Sequence, residues 1–232
     1  MAQSATGTAP RGRGRPPRLS REQIIEAAVE LLEREPDSDL TIKRVAEAAG
    51  AAPMALYRYF PDRDTLLQAV ADRVLSRIQP IALTGDTWQE QVRHWMRTSR
   101  ERLRPHSRLL PYMASTQQPV GVRALAKLAE VLRPLGLSDE DLALAVLLIS
   151  STTIGYASYE TRRSPAEQIV AQLQEGLSAR PENEREILAP LLPRLPVAFA
   201  RLYDAVLDQT VAAIKALATA DSTAGAERAA ER

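Results

Sequence analysis

Apolar residues recur at helical spacing along almost every long segment of this chain, and no convincing two-residue alternation leads into a hairpin turn. A side chain returns to the same face of a helix every three to four residues, whereas a half-buried strand needs a period of two. The pattern predicts an all-α fold. The absence of cysteine narrows it further, because no disulfide, thiolate metal site or cysteine nucleophile can be built. Packing alone must hold the helices. The 232 residues, 45% hydrophobic and 25% charged, suffice for a core in one large domain or two small ones.

The first helix is marked by Ser20 and Gln23 at capping-box spacing, with Leu19 and Ile24 placed as a hydrophobic staple. Ile24, Ile25, Ala28, Val29 and Leu32 form its apolar face, and Pro36 with Asp37 ends it near Glu35. Thr41 is placed to cap a short second helix that stops at Gly50, the residue type best suited to a left-handed C-terminal position. Pro53 opens a third helix to about Tyr59, since proline at the first helical position forfeits no hydrogen bond. A fourth begins after Pro61 and Asp62, with Leu66, Leu67, Val70, Val74 and Ile78 on one face.

Beyond residue 87 the spacing predicts helices over 88–103, around 107–114, and over 120–132, 138–162, 167–177 and 197–219. Residues 176–196 hold four prolines and the charged run 180–186, which reads as a mobile loop. The last dozen residues read as disordered. The expected organisation is a disordered basic tail at 1–18, a three-helix helix-turn-helix DNA-binding domain at 19–80, a larger helical effector-binding and dimerisation domain at 81–219, and a disordered tail at 220–232. From Leu142 to Tyr159 run 18 residues without a charge, just long enough to weigh as a membrane span. Ser150, Ser151, Thr152, Thr153 and Ser158, with Asp141 and Glu160 at its ends, favour a buried helix and no membrane partner. No apolar stretch of secretory type follows the N-terminus, so a cytoplasmic location is expected.

Charge is distributed unevenly. The net charge is +1, yet the first 21 residues hold five arginines and no acid, which suits a polyanionic partner.

A helix, a turn at Gly50 and a second short helix make the outline of a helix-turn-helix, whose second helix enters the major groove while the first braces it. The run Leu40-Thr-Ile-Lys-Arg-Val-Ala-Glu-Ala-Ala-Gly50, then Ala51-Ala-Pro-Met-Ala-Leu-Tyr-Arg-Tyr-Phe60 and Pro61-Asp-Arg-Asp-Thr-Leu-Leu67, resembles the TetR family of bacterial transcriptional regulators over about residues 20–80. Further on, the Thr87-Trp88-Gln89 helix start, His106 and a long penultimate helix with Gly155 are similar to the ligand and dimerisation domain of the tetracycline-repressor branch. The resemblance implies a homodimer on a palindromic operator, released when a small molecule enters the second domain. Ala52 departs from the family's frequent Ser or Thr and removes a phosphate donor, whereas Tyr59 and Arg63 keep donors where relatives carry His and Lys. Met113 falls near a histidine that helps hold the metal–drug complex in tetracycline-binding relatives, so a different effector is expected and neither metal nor cofactor is assigned.

On the double-stranded DNA operator, Thr41, Tyr57 and Tyr59 would donate to phosphate while Lys43, Arg44 and Arg63 supply charge. Base reading would fall on Pro53, Met54, Ala55 and Arg58, the last able to fork onto guanine. The candidate effector set is Trp95, Ser99, Tyr112, Met113, Thr116 and Tyr156, in a region whose aromatic residues, Trp88 and Tyr159 included, suit an apolar organic molecule. Ser151, Gly155, Phe199, Tyr203, Val206 and Thr210 are the candidate dimer interface. No catalytic residue is assigned, and the alternative is a small helical enzyme with an acid/base site in the second domain. His94 and His106 stand twelve apart without companions at metal-ligand spacing.

In the tail, Pro10-Arg-Gly-Arg-Gly-Arg-Pro-Pro17 resembles an AT-hook core, which would lay Arg13 and Arg15 in a narrow A/T minor groove. Deleting residues 1–18 is expected to weaken operator binding and lower its salt slope by about 0.9 for each phosphate left without its arginine. Replacing flanking A/T pairs by G·C should then weaken only the full-length protein. Equal responses in both proteins would reduce the tail to a nonspecific cation.

Overall fold

The computed structural model describes residues 19–35, 38–78, 81–113 and 122–230, with backbone alone for 221–230. Among them every regular element is helical. The chain divides into two compact units after Leu66.

The first unit contains α1 (Arg21–Arg34), α2 (Ile42–Ala48), α3 (Pro53–Leu56) and the opening turn of α4 (Arg63–Arg77). The Ser20–Gln23 capping box closes α1 as the spacing predicts, and the Thr41 hydroxyl caps α2 by accepting from Arg44 N–H. Gly50 takes φ of +64°, the left-handed conformation that releases the chain from α2 toward α3. Pro53 stands in the first turn of α3, whose α-helical part ends at Leu56, three residues earlier than expected. The Leu56 carbonyl then accepts from both Tyr59 and Phe60 N–H at 2.9 Å, which tightens the exit into a turn. Ile24, Ala28, Val45, Ala46, Leu56, Phe60 and Leu66 are fully buried and form the core.

The second unit holds the rest of α4, then α5 (Trp88–Leu103), α6 (Leu110–Met113), α7 (Val122–Leu132), α8 (Asp139–Arg162), α9 (Ala166–Ser178), α10 (Glu182–Leu188) and α11 (Leu195–Ala230). The division falls inside α4, before the expected boundary at residue 80, and Gln68 on α4 donates to the Tyr112 carbonyl at 3.1 Å within this unit. Helix α8 is the centre, packed against α5, α6, α7 and α11. Val92, Trp95, Met96, Leu128, Leu132, Leu142, Ile149, Tyr203, Leu207 and Ile214 form one core cluster there.

Two expectations are corrected. Residues 176–196 are not a loop without structure, because α10 lies within them and Leu192, in the 3-10 turn Leu192–Arg194, is buried. Three of the four prolines occupy helix starts, Pro181 at the N-cap of α10, Pro193 in the first turn of the 3-10 segment and Pro196 in the first turn of α11, while Glu182 and Glu184 complement the N-terminal dipole of α10. The final helix also continues to Ala230 instead of ending near Thr219. After Thr219 the sequence is rich in alanine and contains no proline, so helix propensity carries the backbone onward.

Candidate nucleic-acid interface and a cavity of the second unit

Fully buried Leu56 and Phe60 pin the α3 segment from below, and the Arg21 guanidinium covers the Phe60 ring 4.9 Å from its centroid. Helical spacing then turns Met54 and Tyr57 outward, 74% and 48% exposed, with Pro53 and Arg58 exposed beside them and Ala55 half-buried. A large apolar side chain so far out of the core is an informative exception to burial. Lys43 and Arg63 are exposed on neighbouring helices, and Arg63 Nε donates to the Leu40 carbonyl at 2.8 Å.

Besides Arg63, two more expected phosphate contacts have partners inside the unit. Arg44 is ion-paired with Glu35 and donates to the Asp39 carbonyl at 2.9 Å, tying the start of α2 to the end of α1. Hydrogen bonds from Ser38 and Arg44 hold the Glu35 carboxyl below the ordinary carboxylate range. The Tyr59 hydroxyl donates to the Leu19 carbonyl, so its proton serves the fold. Thr41 is half-buried, and its oxygen accepts the capping hydrogen bond while its own O–H is still a donor. Arg13 and Arg15 lie outside the described residues.

In the second unit a cavity of about 370 Å³ is bounded by α5, α8 and the first turns of α11. Arg100 grips Glu160 with both prongs, Nε to Oε2 at 2.8 Å and Nη2 to Oε1, and this pair holds the Glu160 carboxyl below its ordinary range. The same guanidinium lies 4.4 Å over the Tyr203 ring. Arg97 pairs with Asp204 at 2.8 Å at the cavity's edge. Burial pushes the Tyr156 and Tyr203 hydroxyls up, and Tyr203 donates to the Met96 carbonyl at 2.7 Å.

Of the candidate effector set, Tyr156 lines this cavity, Trp95, Ser99 and Met113 are buried elsewhere in the unit, Tyr112 is half-buried, and Thr116 lies outside the described residues. Sequence reasoning missed Arg97, Arg100 and Glu160 for this cavity, and it placed Phe199, which also lines it, in the dimer set. A signal for the arginines was the four-residue spacing of Asp204 and Asp208 on α11, matched by the four-residue spacing of Arg93 and Arg97 on α5. The dimer candidates separate as well. Ser151 and Gly155 are exposed and Phe199 and Val206 half-buried, but Tyr203 and Thr210 are buried within their own chain, where their hydroxyls bond Met96 and Val206 carbonyls. The burial of those two within their own chain leaves little of their surface for a partner. Among the described residues no group of three or more His, Asp or Glu side chains is gathered for a metal.

A model of the bacterial regulatory proteins of the tetR family matches residues 24–70, and a model of the tetracyclin repressor-like C-terminal domain matches residues 80–210. The chain is 31% identical over 166 residues to the HTH-type transcriptional repressor DrrR1 of Streptomyces coeruleorubidus, covering 70% of this chain and 61% of that one. It thus spans less than two thirds of that relative's length. Among solved structures, apo ActR of Streptomyces coelicolor superposes with a TM-score of 0.70 at 25% identity, covering 87% of this chain and 98% of ActR. ActR is also solved in complex with actinorhodin, at a TM-score of 0.66 and 25% identity over 87% of this chain and 97% of that one. BioQ with its double-stranded DNA operator matches at a TM-score of 0.51 and 28% identity, over 70% of this chain and all of that one.

The two tyrosines differ in a testable way. Tyr59→Phe is expected to lower stability by about 1 kcal/mol in urea unfolding, because the Leu19 carbonyl loses its donor. Tyr57→Phe, at an exposed position, should stay within about 0.5 kcal/mol of the parent. Equal losses would contradict the internal role of Tyr59.

Proposed function

Because the chain belongs to the TetR family of bacterial regulatory proteins, we propose that it is a ligand-responsive transcriptional repressor of the cytoplasm. In this reading it binds a palindromic operator as a homodimer and leaves when a small organic effector enters the second unit. The observation that carries the reading is the outward set of Met54, Tyr57 and Arg58 on a segment clamped by Leu56 and Phe60. Such a surface combines an apolar group for thymine methyls, a phosphate donor and a fork for guanine. BioQ solved on its operator and ActR solved with actinorhodin support the two halves of the proposal.

Arg58 is assigned to base reading, Tyr57, Thr41, Lys43 and Arg63 to the phosphates, and Arg44 and Tyr59 to the scaffold. Selection of bound DNA from a random pool is expected to return a palindrome. On that site Arg58→Ala should relax preference at one base pair per half-site by about 1–3 kcal/mol, while Tyr57→Phe weakens all sequences alike. Uniform loss from both variants would reduce Arg58 to a phosphate contact.

The dimer is assigned to the outer face of α8. Leu144, Leu147, Ser151 and Gly155 follow helical spacing there, all exposed, and a Cβ built on Gly155 meets nothing within 4 Å. A face with two exposed leucines beside a glycine suits a close crossing with its symmetry mate. Leu147→Glu should therefore give monomers by light scattering with helicity retained, since the monomer leaves this position open. A wild-type monomer that still binds a palindrome tightly would overturn the assignment.

A further inference from the structure

We propose that the cavity bounded by α5, α8 and the start of α11 binds an aromatic organic acid, whose carboxylate pairs with Arg163. Arg97 and Arg100 also reach this cavity, but both have carboxylate partners, in Asp204 and Glu160. Arg163 lines it differently. Arg163 is half-buried, its guanidinium lies 4.1 Å over the Phe199 ring, and its buried Nη1 has no hydrogen-bond partner among the described residues. Glu160, the acidic group on the preceding turn of α8, has both oxygens held by Arg100.

A guanidinium does not escape burial by losing its proton. A buried charged donor without an acceptor is costly, and a carboxylate is the planar anion that matches its fork. The walls specify the remainder of the ligand. Tyr156 and Tyr203 pack on each other, ring centroids 4.6 Å apart and tilted by 42°, and with Phe199 they give the lining three aromatic side chains. A volume of about 370 Å³ falls in the range of small-molecule sites, roughly 300–1,000 Å³, and exceeds what an inorganic anion fills. The lining carries three arginines and three carboxylates, Glu101, Glu160 and Asp204, so the preference for an anion rests on the Arg163 donor, which a neutral ring would leave without an acceptor. This inference deepens the repressor reading, and it rests on that reading only for the consequence at DNA.

Binding is tested first without DNA, by calorimetry on the full chain with 2-naphthoate, 2-naphthamide and inorganic phosphate as probes. Naphthoate is expected to bind at least about tenfold more tightly than the isosteric amide, as a charge-assisted hydrogen bond would give. Arg163→Met should erase that preference, and Arg163→Lys should retain part of it. Thermal unfolding of Arg163→Met should change little, because removal of a buried donor without an acceptor offsets the lost contact of the guanidinium with Phe199. Equal affinity for acid and amide in the parent protein, or a preference that survives Arg163→Met, would overturn the site. Phosphate binding as tightly as naphthoate would overturn the aromatic part. Naphthoate that binds with this preference yet leaves operator affinity unchanged would uphold the site and sink its link to repression.

Discussion

A helix of four residues cannot be sustained by its own hydrogen bonds, so α3 depends on the burial of Leu56 and Phe60. The rest of the first unit follows from that clamp. With those two side chains inward, Met54, Tyr57 and Arg58 have nowhere to point but solvent. Helix α2 braces the segment through buried Ile42, Val45 and Ala46. Three side-chain donors then tie the loose ends, with Tyr59 bound to the Leu19 carbonyl, Arg63 to Leu40 and Arg44 to Asp39. Each bond to a backbone carbonyl contributes about 1 kcal/mol, which matters in a unit this small. Polar residues expected at a phosphate surface are thus shared between surface and scaffold.

In the second unit the charged pairs grade from surface to interior. Arg93–Asp208 and Arg97–Asp204 join α5 to α11 one helical turn apart, which fixes how the two helices align along each other. Their aspartates are about two-thirds exposed, so each pair contributes about 0–1 kcal/mol. Arg100–Glu160 is different, since both side chains are at most a quarter exposed and the geometry is two-pronged. Stability comes mainly from the apolar cluster around α8, and the ion pairs set alignment and shape the cavity.

Local signals were the most legible. Ser20 with Gln23, Thr41, Gly50, Pro53 and Thr87 each announce a cap or turn whose chemistry is decided within four residues, and each holds in the structure. Decisions that depend on distant partners were not. Arg44 is an exposed cation by sequence, and only the approach of Glu35 and the Asp39 carbonyl shows it to be internal. Tyr203 and Thr210 sit on a helix apolar over a wide arc, and periodicity alone cannot tell which side of that arc meets the chain's own core. Residues 176–196 misled for another reason. Proline density signals a loop only when the prolines are not at helix starts, and here Pro181 and Pro193 are.

Helix α8 joins these levels. By length and hydropathy it could cross a membrane, and a third of its most apolar stretch is buried within the chain. Leu142, Ala145, Val146, Ile149, Thr153 and Ala157 face inward at helical spacing, and Thr153 returns its hydroxyl to the Ile149 carbonyl, leaving no unsatisfied oxygen there. The opposite side carries Leu144 and Leu147 in solvent, then narrows to Ser151 and Gly155. Such narrowing admits a second helix in either setting, and the inward hydroxyl with the charged helices α5 and α11 beside it favours a protein setting on that side. Close approach by another helix rewards small residues where the backbones cross and larger ones where they diverge. An apolar all-round sequence and a one-sided core are therefore reconciled if the outer face of α8 is itself half of a second core, completed by the same face of a second copy.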